Sequence, residues 1–269
     1  MAGRRIRDQA SNEVGVVSQG RVVVVTGASG HLGSAIARMC AGRGFSVAVH
    51  YRSNEDAARD IIDSIEQSGG VAAAFPADLG AASDPNVATR LIDDVVNHWG
   101  RVDGLVHCSA KQSLQPFDEL LDSDWQAMWE ANFLAATRIS RAALAVMAPG
   151  GSIVTISSVE ATAAFANHAH YAASKAALES FTRSLAREIG PRGMRANCVA
   201  PGLIAREGLE QDWPQGWSWW SEVAPSGRPV SQEEVAGVVS FLLSSQASGI
   251  NGAVIPVDGG WSASARTTF

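Results

Sequence analysis

The sequence has little cysteine, with three in 269 residues. Cys40, Cys108 and Cys198 are far apart and odd in number, so the sequence does not predict a disulfide framework. Unpaired thiols are typical of a reducing compartment, and we therefore expect a cytoplasmic protein.

Long apolar runs and basic clusters are missing too. No apolar run approaches the roughly 18 residues that mark a transmembrane helix. The first segment, 1–20, lacks the apolar core of a secretory signal and is expected to be a flexible polar tail. The formal net charge is -6, and basic residues cluster only at Arg4, Arg5 and Arg7. The composition therefore argues against a membrane or a nucleic acid as a partner.

The six histidines form no metal-binding pattern with cysteine or acidic residues. His168 and His170 are the nearest approach to a metal-binding pair, and we assign them to a loop instead. No metal site is therefore predicted.

Alternating strand and helix patterns fill most of the chain, which is 46% hydrophobic. The run at 21–26 is continuous and β-branched, as expected of a strand buried on both faces. Capping boxes at Ser53, Ser123 and Ser231 predict the starts of three helices. The alternation predicts an α/β fold with a doubly wound parallel sheet in a single domain. The predicted segments are a tail at 1–20, the domain at 21–262 and a C-terminal tail at 263–269.

A glycine-rich turn at 27–33 joins the first strand to a helix predicted at 34–40. Glycines at such a turn let the backbone approach a pyrophosphate, and the helix N-terminus supplies N–H groups and a favourable dipole. Because the turn stands between a strand and a helix, it predicts a dinucleotide-binding site.

Tyr171 and Lys175 are four residues apart in a predicted helix, so their polar ends share one face. A free tyrosine has a pKa of about 10 and exchanges protons poorly at neutral pH. A cation beside it favours the phenolate, which would make Tyr171 a general acid or base near pH 7. The upstream hydroxyl of Ser158 could bind the oxygen that the tyrosine protonates. Taken alone, the Tyr–Lys motif also fits an ordinary pair on the surface of a helix.

Together with the glycine turn and the strand that ends at Ser157 and Ser158, this motif resembles the short-chain dehydrogenase/reductase family. The resemblance covers about 22–261. It implies a Rossmann fold, ketoreductase-like activity and a homotetramer formed through the helices at 121–147 and 170–189. The residues that match the family's active site are Asn132, Ser158, Tyr171 and Lys175.

The resemblance also implies a nicotinamide cofactor. Members that prefer NAD carry a carboxylate after the second strand, whereas this chain has Arg52 and Ser53, which suit a 2′-phosphate, so we predict NADPH. His31 replaces the usual middle glycine with a basic residue, as in pteridine reductases. It lies either beside a cofactor phosphate or in solvent. The residues expected to bind the cofactor are Gly27, Ser29, His31, Leu32, Arg52, Ser53, Asp78, Leu79, Ser109, Ala110, Tyr171, Lys175, Pro201, Gly202 and Ile204.

Two segments depart from the family pattern. At 107–110 the family usually has Asn-Asn-Ala-Gly, and none of the four residues matches. The backbone contacts of this segment can persist, while its bracing of the sheet needs a new donor, for which we predict His107. Arg206 stands where the resemblance implies a threonine that often bonds the cofactor, so that contact is either lost or replaced by the arginine reaching a cofactor phosphate.

The stretch at 213–220 contains four of the eight tryptophans. The resemblance implies that it belongs to a lid over the substrate at about 203–230. An aromatic lid suits a bulky, apolar or cyclic small-molecule substrate. Alternatively, these rings pack on the body of the protein or on a partner subunit. The residues predicted to contact the substrate are Glu160, Trp213 and Trp217.

These observations favour NADPH-dependent reduction of a ketone to a secondary alcohol. Tyr171 would donate the proton, Ser158 would bind the carbonyl oxygen and Asn132 would hold a relay water. Lys175 would lower the pKa of Tyr171 and hold the nicotinamide ribose. Pteridine reductases carry Asp at the position of Ser158, so the serine favours carbonyl chemistry. Two alternatives remain open: oxidation of an alcohol with NAD or NADP, and a non-catalytic regulatory protein that binds the cofactor.

Overall fold

The predicted parallel sheet is present in the computed structural model, which describes residues 20–80 and 84–264. Seven strands of the described chain form one sheet in the order β3-β2-β1-β4-β5-β6-β7, and all neighbours run parallel. The predicted tail at 1–20, apart from Gly20, and the stretch 265–269 lie outside the described residues. The strands are Val22–Thr26 (β1), Ser46–Tyr51 (β2), Val71–Pro76 (β3), Gly104–His107 (β4), Ser152–Ile156 (β5), Arg195–Pro201 (β6) and Val254–Val257 (β7).

Helices cover both faces of the sheet, which confirms the doubly wound single-domain fold. The helices are His31–Gly42 (α1), Glu55–Gln67 (α2), Val87–Trp99 (α3), Asp122–Trp129 (α4), Ala135–Val146 (α5), Ala169–Ile189 (α6), Leu209–Asp212 (α7), Pro214–Val223 (α8) and Gln232–Leu243 (α9). None of the helices in the described ranges has the length and apolarity needed to cross a bilayer.

β1 shows why the sequence pattern was continuous rather than alternating. Val23 and Val25 belong to the core on the side of α1, α2 and α9. Val22 and Val24 belong to the core on the side of α3, α5 and α6. Successive side chains of a strand point to opposite faces, so a central strand covered on both sides is apolar at every position.

The order in which the chain adds strands to the sheet reverses at β1. The chain adds β2 and then β3 on one side, and afterwards continues from β4 on the other side. In such sheets the crevice beyond the carboxyl ends of the strands at the switch point is the usual ligand site. The fold therefore places the candidate site beyond the ends of β1 and β4.

Two of the three predicted capping boxes are wrong. At α2 the cap is Asn54 rather than Ser53, and its side chain accepts a hydrogen bond from the Ala57 N–H at 3.1 Å. At α4 the Asp124 carboxylate accepts from the backbone N–H of Leu121 at 3.0 Å, so the helix begins before Ser123. In both cases a neighbouring polar residue closes the turn instead. The box at Ser231 and Glu234 is present as predicted.

The helix predicted at 121–147 is interrupted at Asn132. A π-helical turn, Glu130–Leu134, separates α4 from α5. Such a turn shifts the backbone hydrogen bonds by one residue and is frequent at functional sites. Asn132 lies within it and is fully buried.

Candidate active site

The predicted Tyr–Ser pair meets at the C-terminal edge of the sheet. β5 ends just before Ser157 and Ser158, and the first turn of α6 brings Tyr171 beside them. Burial and the Glu160 carboxylate raise the pKa of the Tyr171 phenol, and the Ser158 hydroxyl lowers it by a smaller amount. Tyr171 is therefore protonated at neutral pH, the state required of a proton donor.

Lys175 is completely enclosed at the same place. Its ammonium group donates to the Ile156 carbonyl at 2.8 Å and lies 5.6 Å from the centroid of the Tyr171 ring. Burial lowers the pKa of Lys175 to about 8, so it keeps most of its charge at pH 7. The pKa of Tyr171 is raised overall, by burial first, and the predicted lowering of that pKa by Lys175 stays a prediction.

Ser157 fastens α6 to the end of β5. Its hydroxyl can donate to the Lys175 carbonyl at 3.2 Å and to Oε1 of Glu179 at 3.1 Å. Ser157 thus holds the helix that carries Tyr171, which fits its predicted place as the structural neighbour of Ser158.

The side chain of Asn132 links three parts of the site. Its Oδ1 accepts from the Lys111 N–H at 2.7 Å, and its Nδ2 donates to the Lys111 carbonyl at 2.9 Å. The same Nδ2 lies 3.0 Å from the Ser174 hydroxyl on α6. Because these partners occupy the amide, its direct role in the structure is to fix the segment after β4 against α6.

The glycine turn has the close backbone packing expected of a phosphate cradle. A Cβ atom on Gly33 would lie 2.1 Å from the Gly27 carbonyl oxygen, and Gly27 itself has a φ of 65°. α1 begins at His31, three residues earlier than predicted, so its N-terminal N–H groups lie within the turn. The chain therefore provides the cradle and the helix N-terminus that a pyrophosphate requires.

His50 braces this turn, and sequence reasoning missed it. The Gly27 N–H donates to His50 Nδ1 at 3.0 Å, and His50 Nε2 donates to the Ala77 carbonyl at 3.0 Å. The ring connects the ends of β1, β2 and β3, and burial lowers its pKa to about 4. The only signal in the sequence was a polar residue near the end of an apolar strand. Its closeness to the turn became visible in the structure.

His107 takes the predicted place of a bracing donor group, but it acts through Thr26. His107 Nδ1 lies 3.2 Å from the Thr26 hydroxyl, which also accepts from the N–H groups of Cys108 and Ser109. β4 ends at His107 rather than at Cys108. Burial and the Lys175 charge lower the pKa of His107 to about 3, and its Nε2 is buried without a hydrogen-bond partner.

The remaining predicted cofactor residues line the edge of the sheet. Arg52 and Ser53 are exposed beyond β2, and within the described residues Arg52 forms no ion pair. Asp78 is exposed beyond β3, and its Oδ1 accepts from the Gly80 N–H at 3.1 Å. The others lie on the turn or at the ends of β3, β4 and β6, and they are Ser29, His31, Leu32, Leu79, Ser109, Ala110, Pro201, Gly202 and Ile204.

The segment predicted as a lid at 203–230 is joined at its base. Ile204 and Val230 form an isolated parallel bridge, and the segment between them contains α7 and α8. Arg206 pairs with Asp212 at 2.7 Å, so in the structure it closes α7 instead of extending toward a phosphate.

The four tryptophans of the lid divide into two groups. Trp220 is buried and stacks on Trp261 with ring centroids 5.4 Å apart, and Trp219 meets the edge of Phe165. Trp220 packs on the body of the protein, as the alternative interpretation predicted, whereas Trp219 stays 41% exposed. Trp213 is 49% exposed and Trp217 is half-buried. Their contact with a substrate remains a prediction.

The loop assignment of the two neighbouring histidines is wrong for one of them. His168 caps α6 and pairs with Glu160 at 2.6 Å. His170 lies in the first turn of α6, is buried, and has its Nε2 3.1 Å from the Ser113 hydroxyl. No group of three or more metal-ligating side chains was found in the described part of the chain.

Comparison with known proteins places this geometry in a family. Residues 27–262 match a family model described as enoyl-(acyl carrier protein) reductase. A hydroxynaphthalene reductase from Aspergillus fumigatus is 35% identical over 246 residues, which cover 87% of this chain and 89% of the relative. An oxidoreductase from Methylorubrum extorquens is 34% identical over 245 residues, or 90% of this chain and 98% of the relative.

Solved structures agree with the sequence relatives. The angucycline C-6 ketoreductase LanV with bound NADP superimposes with a TM-score of 0.86 at 30% identity, covering 92% of this chain and 98% of that chain. A short-chain dehydrogenase/reductase from Serratia marcescens gives a TM-score of 0.85 at 32% identity, covering 91% of this chain and 99% of that one.

Proposed function

Because the chain belongs to the short-chain dehydrogenase/reductase family and is an oxidoreductase acting on CH–OH or C=O groups, we propose that it reduces a bulky cyclic ketone with NADPH. The observation that carries the proposal is the buried, protonated Tyr171 beside Ser158 and the Lys175 ammonium. A protonated phenol can give its proton to a carbonyl oxygen, which is the proton transfer that ketone reduction requires.

The residues at the sheet edge fit NADPH. The turn at 27–33 would hold the pyrophosphate with backbone N–H groups. His50 fixes the position of the turn by accepting a hydrogen bond from the Gly27 N–H. Arg52 is a cation without a carboxylate partner among the described residues, and it would bind the 2′-phosphate. Asp78 and Leu79 would lie at the adenine.

The reaction divides between cofactor and protein. When bound, NADPH supplies the hydride that adds to the carbonyl carbon. Ser158 donates a hydrogen bond to the carbonyl oxygen, and Tyr171 transfers its proton to that oxygen as negative charge develops. The Lys175 ammonium then stabilises the phenolate that remains, and Asn132 keeps the segment after β4 against α6 during this step.

Two observations support a bulky, flat substrate. The lid brings the rings of Trp219 and Phe165 to 6.0 Å, and Trp213 and Trp217 are left for further contacts. The relatives include a hydroxynaphthalene reductase and an angucycline ketoreductase. We therefore place the substrate among fused-ring ketones of the polyketide kind.

The helix pair predicted for subunit contacts presents an aromatic face. Trp129 is 39% exposed, its ring lies 4.6 Å from that of Phe133, and Phe181 of α6 adjoins Phe133 at 6.0 Å. An exposed aromatic cluster of this kind marks an interaction surface. We propose a homotetramer, which static light scattering would contradict by finding the mass of a single 28.2 kDa chain.

The function is tested by following NADPH absorbance with a panel of monocyclic, bicyclic and tricyclic aromatic ketones. We expect turnover of the fused-ring ketones and a KM for NADPH at least about tenfold below that for NADH, because Arg52 binds a phosphate that NADH lacks. Equal KM values would contradict the cofactor assignment. NADPH binding without turnover of any ketone would favour the non-catalytic alternative.

Two glycines of α1 provide a matched control for the location of the cofactor. Gly33→Ala puts a Cβ atom against the backbone of Gly27, whereas Gly42→Ala on the same helix meets no atom within 4 Å. We expect Gly33→Ala to lose NADPH binding and Gly42→Ala to retain it. Equal NADPH affinity in the two variants would place the cofactor away from the turn.

A further inference from the structure

A pair of polar side chains beside Tyr171 is not used by the proposed reaction. We propose that Glu160 and His168 form a recognition pair that binds a phenolic hydroxyl group of the ketone substrate. This inference rests on the proposed function and narrows its substrate class to hydroxylated aromatic ketones.

The recognition pair is short and well shielded. Oε2 of Glu160 lies 2.6 Å from Nδ1 of His168, and the two side chains are 11% and 12% exposed. Charge-assisted hydrogen bonds of this length are strong, and shielding from water strengthens them. The carboxylate therefore fixes the orientation of the imidazole ring.

This arrangement leaves one ring nitrogen without a partner. A carboxylate only accepts, so Nδ1 of His168 carries the shared hydrogen. Nε2 of His168 is buried and has no hydrogen-bond partner. A buried polar atom without a partner costs free energy, and a ligand hydroxyl that reaches Nε2 as the covering side chains move apart recovers that cost.

The recognition pair belongs to the same site as the proposed proton donor. The backbone N–H of Glu160 donates to the Ser158 hydroxyl at 3.2 Å. The His168 ring lies 5.7 Å from the Tyr171 ring, centroid to centroid. A substrate whose carbonyl oxygen bonds to Ser158 and Tyr171 therefore lies within one fused-ring system of His168.

Aromatic side chains of the site indicate what carries the hydroxyl group. The Tyr171 ring lies against His168, and Phe165, which lies between the two members in the chain, packs against Trp219 of α8 and Trp261. A site with several aromatic rings and one unpartnered polar atom favours a flat ring with a polar substituent. A phenol has both properties, whereas an aliphatic alcohol lacks the ring.

The inference is tested with the bicyclic ketone 1-tetralone and with the hydroxy-1-tetralones, a set of positional isomers that each carry one phenolic hydroxyl group. In the unchanged protein we expect at least one isomer to show a KM about tenfold below that of 1-tetralone at similar kcat, the effect of one hydrogen bond in a shielded site. In His168→Phe, which keeps an aromatic ring against Tyr171, the ratio of the two KM values is expected to fall to about one, and any effect of the unpaired Glu160 carboxylate on Tyr171 cancels in that ratio. If His168→Phe kept the roughly tenfold lower KM for the hydroxylated ketone, the inference would be overturned.

His170→Phe is the matched control, because His170 is a buried imidazole in the same turn that bonds Ser113 and contacts Trp125. It should preserve the preference. Glu160→Leu should abolish the preference, since the imidazole loses its fixed orientation. Any effect of this variant on the Tyr171 pKa changes both substrates alike and cancels in their ratio.

Equilibrium binding separates this inference from the proposed function. Titration calorimetry with 1-tetralone and the preferred hydroxylated isomer measures recognition without turnover. If no ketone is reduced, the proposed function fails, while a roughly tenfold affinity difference that disappears in His168→Phe still supports the recognition pair. Equal affinities of both ketones for the unchanged protein would overturn it.

Discussion

Tyr171→Phe is expected to lower kcat for ketone reduction by about 1000-fold while leaving NADPH affinity within about twofold. Phenylalanine preserves the buried ring, which is 8% exposed, and removes only the hydroxyl that donates the proton. Hydride transfer would then produce an alkoxide with no acid beside it. Stopped-flow measurement of NADPH absorbance gives the rate, and calorimetry gives the cofactor affinity.

The chain provides a close control, because it contains one other tyrosine. Tyr51 is also 8% exposed and lies at the end of β2, where its neighbour across the sheet is Pro76. Tyr51→Phe therefore makes the same chemical change in a similarly buried ring and should leave kcat unchanged. If Tyr171→Phe retained more than about a tenth of the original kcat, another group would have to be the acid.

The surroundings of Tyr171 act on the phenol and on the phenolate in different ways. The phenol is held protonated by burial and by the Glu160 carboxylate, while Lys175 nearby keeps most of its ammonium charge at pH 7. Burial makes the phenolate that remains after proton transfer unfavourable, and the Lys175 charge offsets part of that cost. Burial and Glu160 therefore keep the proton in place beforehand, and Lys175 stabilises the charge that remains afterwards.

The fold was accessible from the sequence because its signals are local. The continuous run of valines in β1 indicates a strand covered on both faces, and the Tyr171–Lys175 spacing survives any error in helix ends. The π-helical turn at Asn132 was not accessible, since its position depends on contacts with Lys111 and Ser174 rather than on helix propensity.

The histidines show the same limit at the candidate site. His50 has its role only because β1, β2 and β3 are adjacent, so its contacts with Gly27 and Ala77 join residues distant in the chain. His168 meets Glu160 only because the loop between them folds back over the end of β5. Sequence patterns describe which residues share an element, whereas these contacts depend on how the elements meet.

Acidification is expected to destabilise the fold between about pH 6.5 and pH 3, because two imidazoles are buried in the neutral form. The pKa of His50 is lowered to about 4 and that of His107 to about 3. In the unfolded chain both take up a proton near pH 6.5, whereas the folded protein stays neutral until much lower pH. The unfolded state therefore binds more protons in this range, so the free energy of unfolding falls as pH decreases.

The size of the effect follows from the two shifts. His50 would account for about 3 kcal/mol and His107 for about 5 kcal/mol once pH is well below both folded-state values, as order-of-magnitude figures. The charged groups nearby do not reverse the direction, because Asp78 favours protonation of His50 less than burial opposes it, and Lys175 opposes protonation of His107. Above about pH 6.5 neither imidazole is protonated in the folded or the unfolded state, so the protein keeps its full stability with respect to both.

Urea unfolding from pH 7.5 to pH 4.5 measures this dependence, and His107→Asn isolates one part of it. Asparagine cannot titrate and can still form a hydrogen bond with Thr26, so the variant should lose less stability on acidification, by about 1.4 kcal/mol per pH unit below pH 6.5. His98→Asn is the control, because it removes an exposed imidazole on α3. The free energy of unfolding of His98→Asn should change with pH as it does in the unchanged protein. If that of His107→Asn changed with pH in the same way, the neutral, buried state of His107 would be wrong. The bracing of the cofactor turn through Thr26 would then need another explanation.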